Sequence, residues 1–213
     1  MNDATVFCFS PPDLSEARTR VSPWCHSIGK RLFDFLCAVL VLTLLSPFLL
    51  LMGILIRLTS PGPALFRQAR VGKDGRQFTL FKFRTMAHKP GQAGPGITRQ
   101  GDVRITRVGR VMRKWKLDEW PQFINVALGD MTLVGPRPDL AEYWAALSAE
   151  QRRVLCLRPG ITGCATLKFR NEEELLGKVP REQLTSYYLS SCLPKKIHLD
   201  WEYAREATFR SDF

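Results

Sequence analysis

The sequence is poor in the residues that build disulfide frameworks and zinc sites. Its six cysteines, Cys8, Cys25, Cys37, Cys156, Cys164 and Cys192, form no C-x-x-C pair and no regular spacing, and there are only three histidines, His26, His88 and His198. Separate reduced thiols are therefore expected, and zinc is not. The first thirty residues lack the succession of basic end, apolar run and small-residue cleavage site that marks a secretory signal, so nothing in them supports secretion. Acidic side chains are also scarce, with 20 Asp and Glu against 31 Lys and Arg in 213 residues, a formal net charge of +11. What is present bounds the class. A hydrophobic share of 45% excludes wholesale disorder. A mean hydropathy of -0.11 excludes a polytopic membrane protein, and the length suits one domain of ordinary size.

Both deficits are local. From Phe35 to Ile56 the chain has no charged residue in 22 positions, enough helix to span a bilayer core. Leucine lies on every side of the helical wheel, which disfavours a buried helix of a soluble protein. Lys30 and Arg31 flank the start, and Arg57, Arg67, Arg70, Lys73 and Arg76 follow the end. With both flanks basic, the positive-inside bias puts both ends on the cytoplasmic side. Ser46-Pro47 sits near the centre, where proline cannot donate the intrahelical bond and Ser46 can take up part of the disturbed bonding. Two readings stand: a re-entrant helical hairpin broken at Ser46-Pro47, which these features favour, and a kinked full span. Asp34 is expected to pair with Lys30 or Arg31 in a structural role.

From Arg67 to Lys116 there are fourteen Lys and Arg and only two acids, Asp74 and Asp102, so this stretch carries the whole excess of charge. Ser60-Pro61-Gly62-Pro63 reads as a rigid turn. Ala64 to Ala69 and Gln77 to Arg84 read as short strands joined by the turn Lys73-Asp74-Gly75-Arg76. In the second strand Lys82 and Arg84 are mixed with Phe78, Leu80, Phe81 and Phe83. This pattern can hold a phosphate beside a stacked base, lie on anionic lipid headgroups, or turn its apolar row to the core. Residues 88–96 read as a flexible Gly/Pro-rich loop, and Arg104 to Lys116 as an amphipathic helix with Ile105, Val108, Met112 and Trp115 at helical spacing.

The acids return as an adjacent pair, Asp118-Glu119. Neighbouring carboxylates beside a basic surface can hold a divalent cation or supply a nucleophile toward phosphorus. They can equally be an acidic helix turn. Further on, Arg137 stands between Pro136 and Pro138, a rigid setting that can aim a guanidinium at a phosphate. Asp139 to Leu157 reads as one or two helices capped by Asp139, with Tyr143, Trp144 and Leu147 packed inward. Two more helices are expected on either side of Pro194.

Five segments in order carry a resemblance: residues 30–35 (KRLFDF), 60–86 (SPGPALFRQARVGKDGRQFTLFKFRTM), 105–138 (ITRVGRVMRKWKLDEWPQFINVALGDMTLVGPRP), 158–163 (RPGITG) and 193–209 (LPKKIHLDWEYAREATF). Together with the apolar block they resemble the bacterial sugar transferase family, specifically its small monotopic polyprenyl-phosphate phosphoglycosyl transferases. The resemblance implies transfer of a sugar-1-phosphate from a UDP-sugar to polyprenyl phosphate, usually undecaprenyl phosphate, with release of UMP. This is the first membrane step of glycoconjugate synthesis, and it requires Mg²⁺. It implies Asp118 as nucleophile forming a phospho-aspartyl sugar, Glu119 as its partner in catalysis and metal binding, and Arg113 and Arg137 as phosphate binders. It also implies Ser46-Pro47 as the re-entrant break, with the active site on the cytoplasmic face of the bacterial inner membrane. Trp115-Lys116-Leu117 and Trp120 depart from the family's usual LR-x-x-SLDELPQ. After RPGITG the family's WQVxGR-like stretch is replaced by CATLKFRNEEEL, a segment where acceptor or sugar specificity can differ.

The expected architecture is α+β. Residues 1–29 form an N-terminal extension and residues 30–58 a re-entrant membrane helix. Residues 59–209 form a compact cytoplasmic catalytic domain of a small β-hairpin and amphipathic interfacial helices. Expected partners are the UDP-sugar, polyprenyl phosphate and an anionic phospholipid membrane, with a homodimer as a candidate assembly and no nucleic acid. A membrane-tethered nucleic-acid-binding module, the alternative, leaves the Asp-Glu pair and the Pro-Arg-Pro segment without work.

Overall fold

The computed structural model describes residues 14–87, 98 and 102–213; the Gly/Pro-rich loop expected at 88–96 and residues 1–13 of the N-terminal extension lie outside them. After α1 (Ser15–Thr19) and a short 3-10 turn, Ser27 caps α2 (Ile28–Thr59) by accepting from the Lys30 backbone N–H. The break expected at Ser46-Pro47 is not an interruption of the helix, which is continuous through both residues. Pro47 has no N–H for the carbonyl four residues back, that of Thr43, and Ser46 Oγ donates to that oxygen instead, at 2.9 Å. At 32 residues the helix is about 48 Å long, more than a bilayer core of about 30 Å requires. It is long and apolar enough to cross a membrane by length and composition, and Leu36, Leu40, Leu44, Leu50, Leu51 and Leu58 are exposed along it.

Both ends of α2 are nevertheless held by the rest of the chain. At the N-terminal end Lys30 pairs with Asp212, and Arg31 donates to the carbonyls of Val126 (2.6 Å) and Ala127 (3.1 Å). Asp34 does not pair with Lys30 or Arg31 as expected. It is buried and accepts from Thr132 Oγ1 (2.5 Å) and the Leu133 N–H (3.2 Å), because the basic flank is already committed elsewhere. At the other end Arg84 donates to the carbonyls of Pro61 (2.5 Å), Ser60 (2.8 Å) and Ile56 (3.4 Å) and to Ser60 Oγ (2.9 Å). One guanidinium thus satisfies carbonyls that a helix C-terminus leaves open.

Strands β1 (Leu65–Val71) and β2 (Gln77–Phe83) form the expected antiparallel hairpin, with Leu65 opposite Phe83 and Val71 opposite Gln77. Its turn uses positive φ at Asp74 and Gly75, the conformation a tight hairpin needs. Leu80 and Phe83 are buried and Phe78 packs against the core, so this part of the row serves the core. Arg67 lies over the Phe81 ring.

Helix α3 (Arg107–Lys114), capped by Thr106, leads through a 3-10 turn at Leu117–Glu119 to α4 (Gln122–Leu128). Strand β3 (Thr132–Val134) is followed by α5 (Ala141–Ala145) and α6 (Ala149–Arg152). Then come β4 (Gly160–Thr162), α7 (Cys164–Lys168), α8 (Glu172–Gly177) and α9 (Leu184–Tyr187). Helices α10 (Leu193–Glu206) and α11 (Phe209–Asp212) complete the order. β3 and β4 pair in parallel, Thr132 with Gly160 and Val134 with Thr162. The motifs GPRP and RPGITG meet here. A Cβ on Gly160 would lie 2.2 Å from the Gly135 nitrogen, and one on Gly163 2.3 Å from the Gly135 oxygen. Only glycine permits these backbones to touch.

The α+β class therefore holds for this mixed helical fold with two small sheets. Its largest core joins Tyr143, Trp144, Leu147, Val154, Tyr188 and Ile197, so the expected inward packing at 143–147 is present. Two smaller cores draw in α2, one through Ala38 with Leu80, Val126 and Met131, the other through Ile56 with Phe83 and Met112. Two expectations change. Asp139 caps no helix: α5 begins after Leu140, and Asp139 is buried, accepting from the Tyr188 hydroxyl at 2.8 Å with Arg70 at 3.6 Å. Pro194 separates no helices either, because it falls in the first turn of α10, where its missing N–H costs nothing, and a π-helical turn at Tyr188–Cys192 leads directly into it.

Replacing Arg84 with methionine keeps the bulk but leaves the Ile56, Ser60 and Pro61 carbonyls without their charged donor. The expected outcome is a loss of about 2–3 kcal/mol of stability, read as a lowered thermal midpoint in detergent.

Candidate active site

Lys116 adopts a left-handed backbone, φ 56°, which is costly for a side chain with a Cβ. It turns the chain out of α3 into the 3-10 turn at Leu117–Glu119, so that Asp118 and Glu119 are buried at 7% and 8% exposure. Glu119 is held by two cations on one oxygen: Lys82 Nζ at 2.9 Å and Arg137 Nη2 at 2.6 Å from Oε1. Asp118 differs. Its Oδ1 is buried and has no hydrogen-bond partner.

The two carboxyls are driven apart. Burial pushes the Asp118 carboxyl above the ordinary aspartate range, with the Lys82 charge opposing and the Glu119 charge adding to the shift. Burial acts on Glu119 in the same direction, but Arg137 and Lys82 outweigh it and hold that carboxyl well below its usual range. The same pair raises Arg137 through the Glu119 charge. Lys82 is lowered by burial, against the pull of Glu119. Asp118 is therefore the unengaged carboxylate, and Glu119 the permanently charged one.

The cations arrive from distant parts of the chain. Lys82 comes from β2. That strand is fastened to α4 by Asn125, whose Nδ2 donates to the Thr79 carbonyl (2.7 Å) and whose Oδ1 accepts from the Phe81 N–H (3.0 Å). Arg137 comes from the loop after β3. Pro136 and Pro138 are buried beside it and act on its backbone: the Pro136 carbonyl accepts from the Gly160 N–H at 2.8 Å, tying the loop to β4. Neither proline supplies a donor for phosphate, so both are framework rather than binding groups.

Arg113 lies on α3, and its charge lowers Asp118, but its Nη2 is engaged by Glu173 at 2.5 Å and its Nη1 lies 3.4 Å from Thr85 Oγ1. Arg84, grouped by sequence with Lys82 as a phosphate binder, is a correction. Lys82 and Arg84, two positions apart, would share a face along a strand, but strand β2 ends at Phe83; beyond it the Arg84 side chain turns to the end of α2. The local charge excess is likewise no single surface. Arg70, Lys82, Arg84, Arg104 and Arg113 each serve a separate partner. Arg107, Arg110, Lys114 and Lys116 on and after α3 are exposed, beside exposed Val111 and Trp115. Glu173 and Asn125 were not singled out by sequence; an asparagine inside a short helix, where its propensity is poor, was the one signal available for Asn125.

A cavity of about 390 Å³ opens beside the pair, with Glu119, Arg137, Thr166, Glu172, Lys196 and Asp200 among its lining residues. Mg²⁺ accepts one or two carboxylates and completes its shell with phosphate and water oxygens. The unpartnered Asp118 Oδ1 next to Glu119 offers that donor set. Among the described residues no cluster of three or more His, Cys, Asp or Glu offers a closed metal cage. The residues thus fit an ion shared with a bound phosphate.

The chain is 45% identical over 145 residues to the UDP-N-acetylgalactosamine-undecaprenyl-phosphate N-acetylgalactosaminephosphotransferase of Aeromonas hydrophila, a match covering 66% of this chain and 34% of that protein. It is 44% identical over 146 residues to a UDP-glucose:undecaprenyl-phosphate glucose-1-phosphate transferase of Caulobacter vibrioides, covering 66% and 54%. A protein of the same description from Escherichia coli matches at 38% over 186 residues, 83% of this chain and 36% of that one. The chain thus spans about a third to a half of the length of these relatives. The family described as bacterial sugar transferase matches residues 25–213, nearly the whole chain and all of the site, and the protein belongs to that family.

Proposed function

We propose that this chain is a polyprenyl-phosphate phosphoglycosyl transferase, moving a sugar-1-phosphate from a UDP-sugar to undecaprenyl phosphate with release of UMP. The observation that carries the reading is the unequal pair: a buried Asp118 with a free oxygen beside a Glu119 neutralised by Lys82 and Arg137. An Asp118 oxygen attacks the phosphorus that bears the sugar, forming an Asp–O–P bond as the bond to UMP breaks. An oxygen of the polyprenyl phosphate then attacks the same phosphorus and returns the carboxylate. Splitting the exchange lets a soluble nucleotide and a lipid use one site in turn.

Charge supports a metal. Asp118 and Glu119 balance Lys82 and Arg137, and Arg113 is taken by Glu173, so Lys116 and Arg170 on the cavity lining are left to meet an incoming diphosphate, which needs further neutralising charge. Bound Mg²⁺, held by Asp118 and Glu119, would supply it by neutralising phosphate oxygens. Arg137 keeps Glu119 ionised and orients toward the phosphate.

The membrane reading rests on α2. Its two ends are both fastened to one domain, by Arg31 and Asp34 at one and Arg84 at the other, while its middle exposes leucine. That supports a helix entering and leaving on one side, with the basic and tryptophan-bearing face of α3 at the lipid headgroups and the site on the cytoplasmic face of the inner membrane.

Three outcomes follow. Wild-type protein given a UDP-sugar and Mg²⁺ without lipid should release about one UMP per enzyme and stop, and Asp118→Asn should release none; normal turnover by that variant would remove Asp118 as nucleophile. Because an ionised Asp118 is required and burial raises its pKa, the acid limb of the rate profile should lie above the ordinary aspartate value of about 4. Lys82→Met, which deletes the opposing charge, should move that limb to higher pH in a UMP-release assay. Single cysteines at Gly29 and Thr59 should both react with an impermeant thiol reagent from the cytoplasmic side of vesicles only, in a background lacking the native thiols.

A further inference from the structure

The cavity beside Glu119 and Arg137 has a second wall that the exchange chemistry does not use. It is built by α7, α8 and α10, that is, by the segment where this sequence departs from its family, together with the closing helix. Asp200 on α10 is buried there. It accepts from the Ala165 backbone N–H, makes no ion pair among the described residues, and burial pushes its carboxyl up to about 7. Thr166 Oγ1 is buried and has no hydrogen-bond partner. Lys196, also buried, pairs with Glu172 at 2.5 Å and lies over the Phe169 ring, 5.6 Å from its centroid.

Such groups are expensive to bury for stability alone. An unpaired carboxyl and an unsatisfied hydroxyl each cost free energy that an apolar side chain of the same size would not. Their position on the wall of a cavity of about 390 Å³, within the usual range for a small-molecule site, gives them a ligand. Its chemistry can be narrowed. Two acidic side chains on this wall, Glu172 and Asp200, suit hydroxyl donors, while Lys196 and Thr166 supply donors in return. A partly buried aromatic, Phe169, suits the apolar face of a pyranose ring.

We propose that this wall, with Thr166, Asp200 and the Lys196–Glu172 pair, binds the sugar ring of the nucleotide sugar and decides which sugar is transferred. The inference rests on the transferase reading above and extends it. The sugar is bonded directly to the phosphorus that Asp118 attacks, and Glu119 and Arg137 line the same cavity.

The test uses the full chain in detergent with undecaprenyl phosphate and Mg²⁺, assayed for UMP release from UDP-glucose, UDP-galactose and their two N-acetylamino counterparts. Thr166→Val and Asp200→Asn preserve shape, and thermal midpoints confirm folding. Each should lower kcat/KM for the preferred sugar about tenfold or more, because a site built to bond a hydroxyl discriminates strongly when the bond is lost. The less favoured sugars should fall less, and inhibition by UDP alone should stay within about twofold of wild type, well under the 1.4 kcal/mol that a tenfold change represents. An equal fall for every sugar and for UDP would assign the wall to the nucleobase and overturn the proposal, as would unchanged discrimination in both variants. Absence of UMP release by wild type from all four would overturn the transferase reading along with it.

Discussion

Two adjacent carboxylates cannot both be carried under a protein surface unless positive charge is brought to at least one of them. Around Asp118-Glu119 that requirement is met by Lys82 and Arg137, both on one oxygen of Glu119. Neither cation is near the pair in sequence, so the chain must fold to supply them. The β1–β2 hairpin exists in a position to deliver Lys82 because Asn125 fastens its edge to α4. The Pro-Arg-Pro loop delivers Arg137 because Gly135, Gly160 and Gly163 allow β3 and β4 to meet backbone to backbone. Leaving a buried charge unpaired costs several kcal/mol, so the ion triad and these supports stand or fall together.

The same economy governs the long helix. An apolar segment of this length has no need of a soluble domain, yet α2 donates Ala38 and Ile56 to two cores and is stapled at both ends. Asp34 is the telling residue. A charge at the edge of a hydrophobic stretch would ordinarily remain at the lipid interface; here it enters the domain and bonds Thr132 and Leu133 on β3, the strand that leads to Arg137. The membrane segment and the active-site loop are thereby one mechanical unit. At the far end Arg84, just past the strand carrying Lys82, closes the helix.

Much of this was legible in the residues. The turn at Asp74-Gly75 and the strands around it follow from local steric preference. The uncharged run, the adjacent acids and the arginine between prolines are all contiguous signals, and contiguous signals survive reading along the chain. Arg84 was not legible, because alternation along β2 puts it on the same face as Lys82, and nothing local says that the strand ends at Phe83 and a helix end waits there. Asp139 looked like a cap because it follows a proline and precedes a helix; the competing partners Tyr188 and Arg70 are distant in sequence. Pro194 looked like a break because a proline inside a helix usually is one, whereas in a first turn it is harmless.

The sequence by itself determined the membrane-length helix, the hairpin, the basic balance and the presence of an Asp-Glu pair, since each depends on neighbours within a few positions. Only the tertiary structure decided that Asp118 and Glu119 are unequal, and that Arg70, Lys82, Arg84, Arg104 and Arg113 are spent on separate partners while Arg107, Arg110, Lys114 and Lys116 stay exposed. The physical reason is common to both. Ionisation and charge pairing depend on burial and on which side chains meet across space, and those distances are set by packing, not by order along the chain.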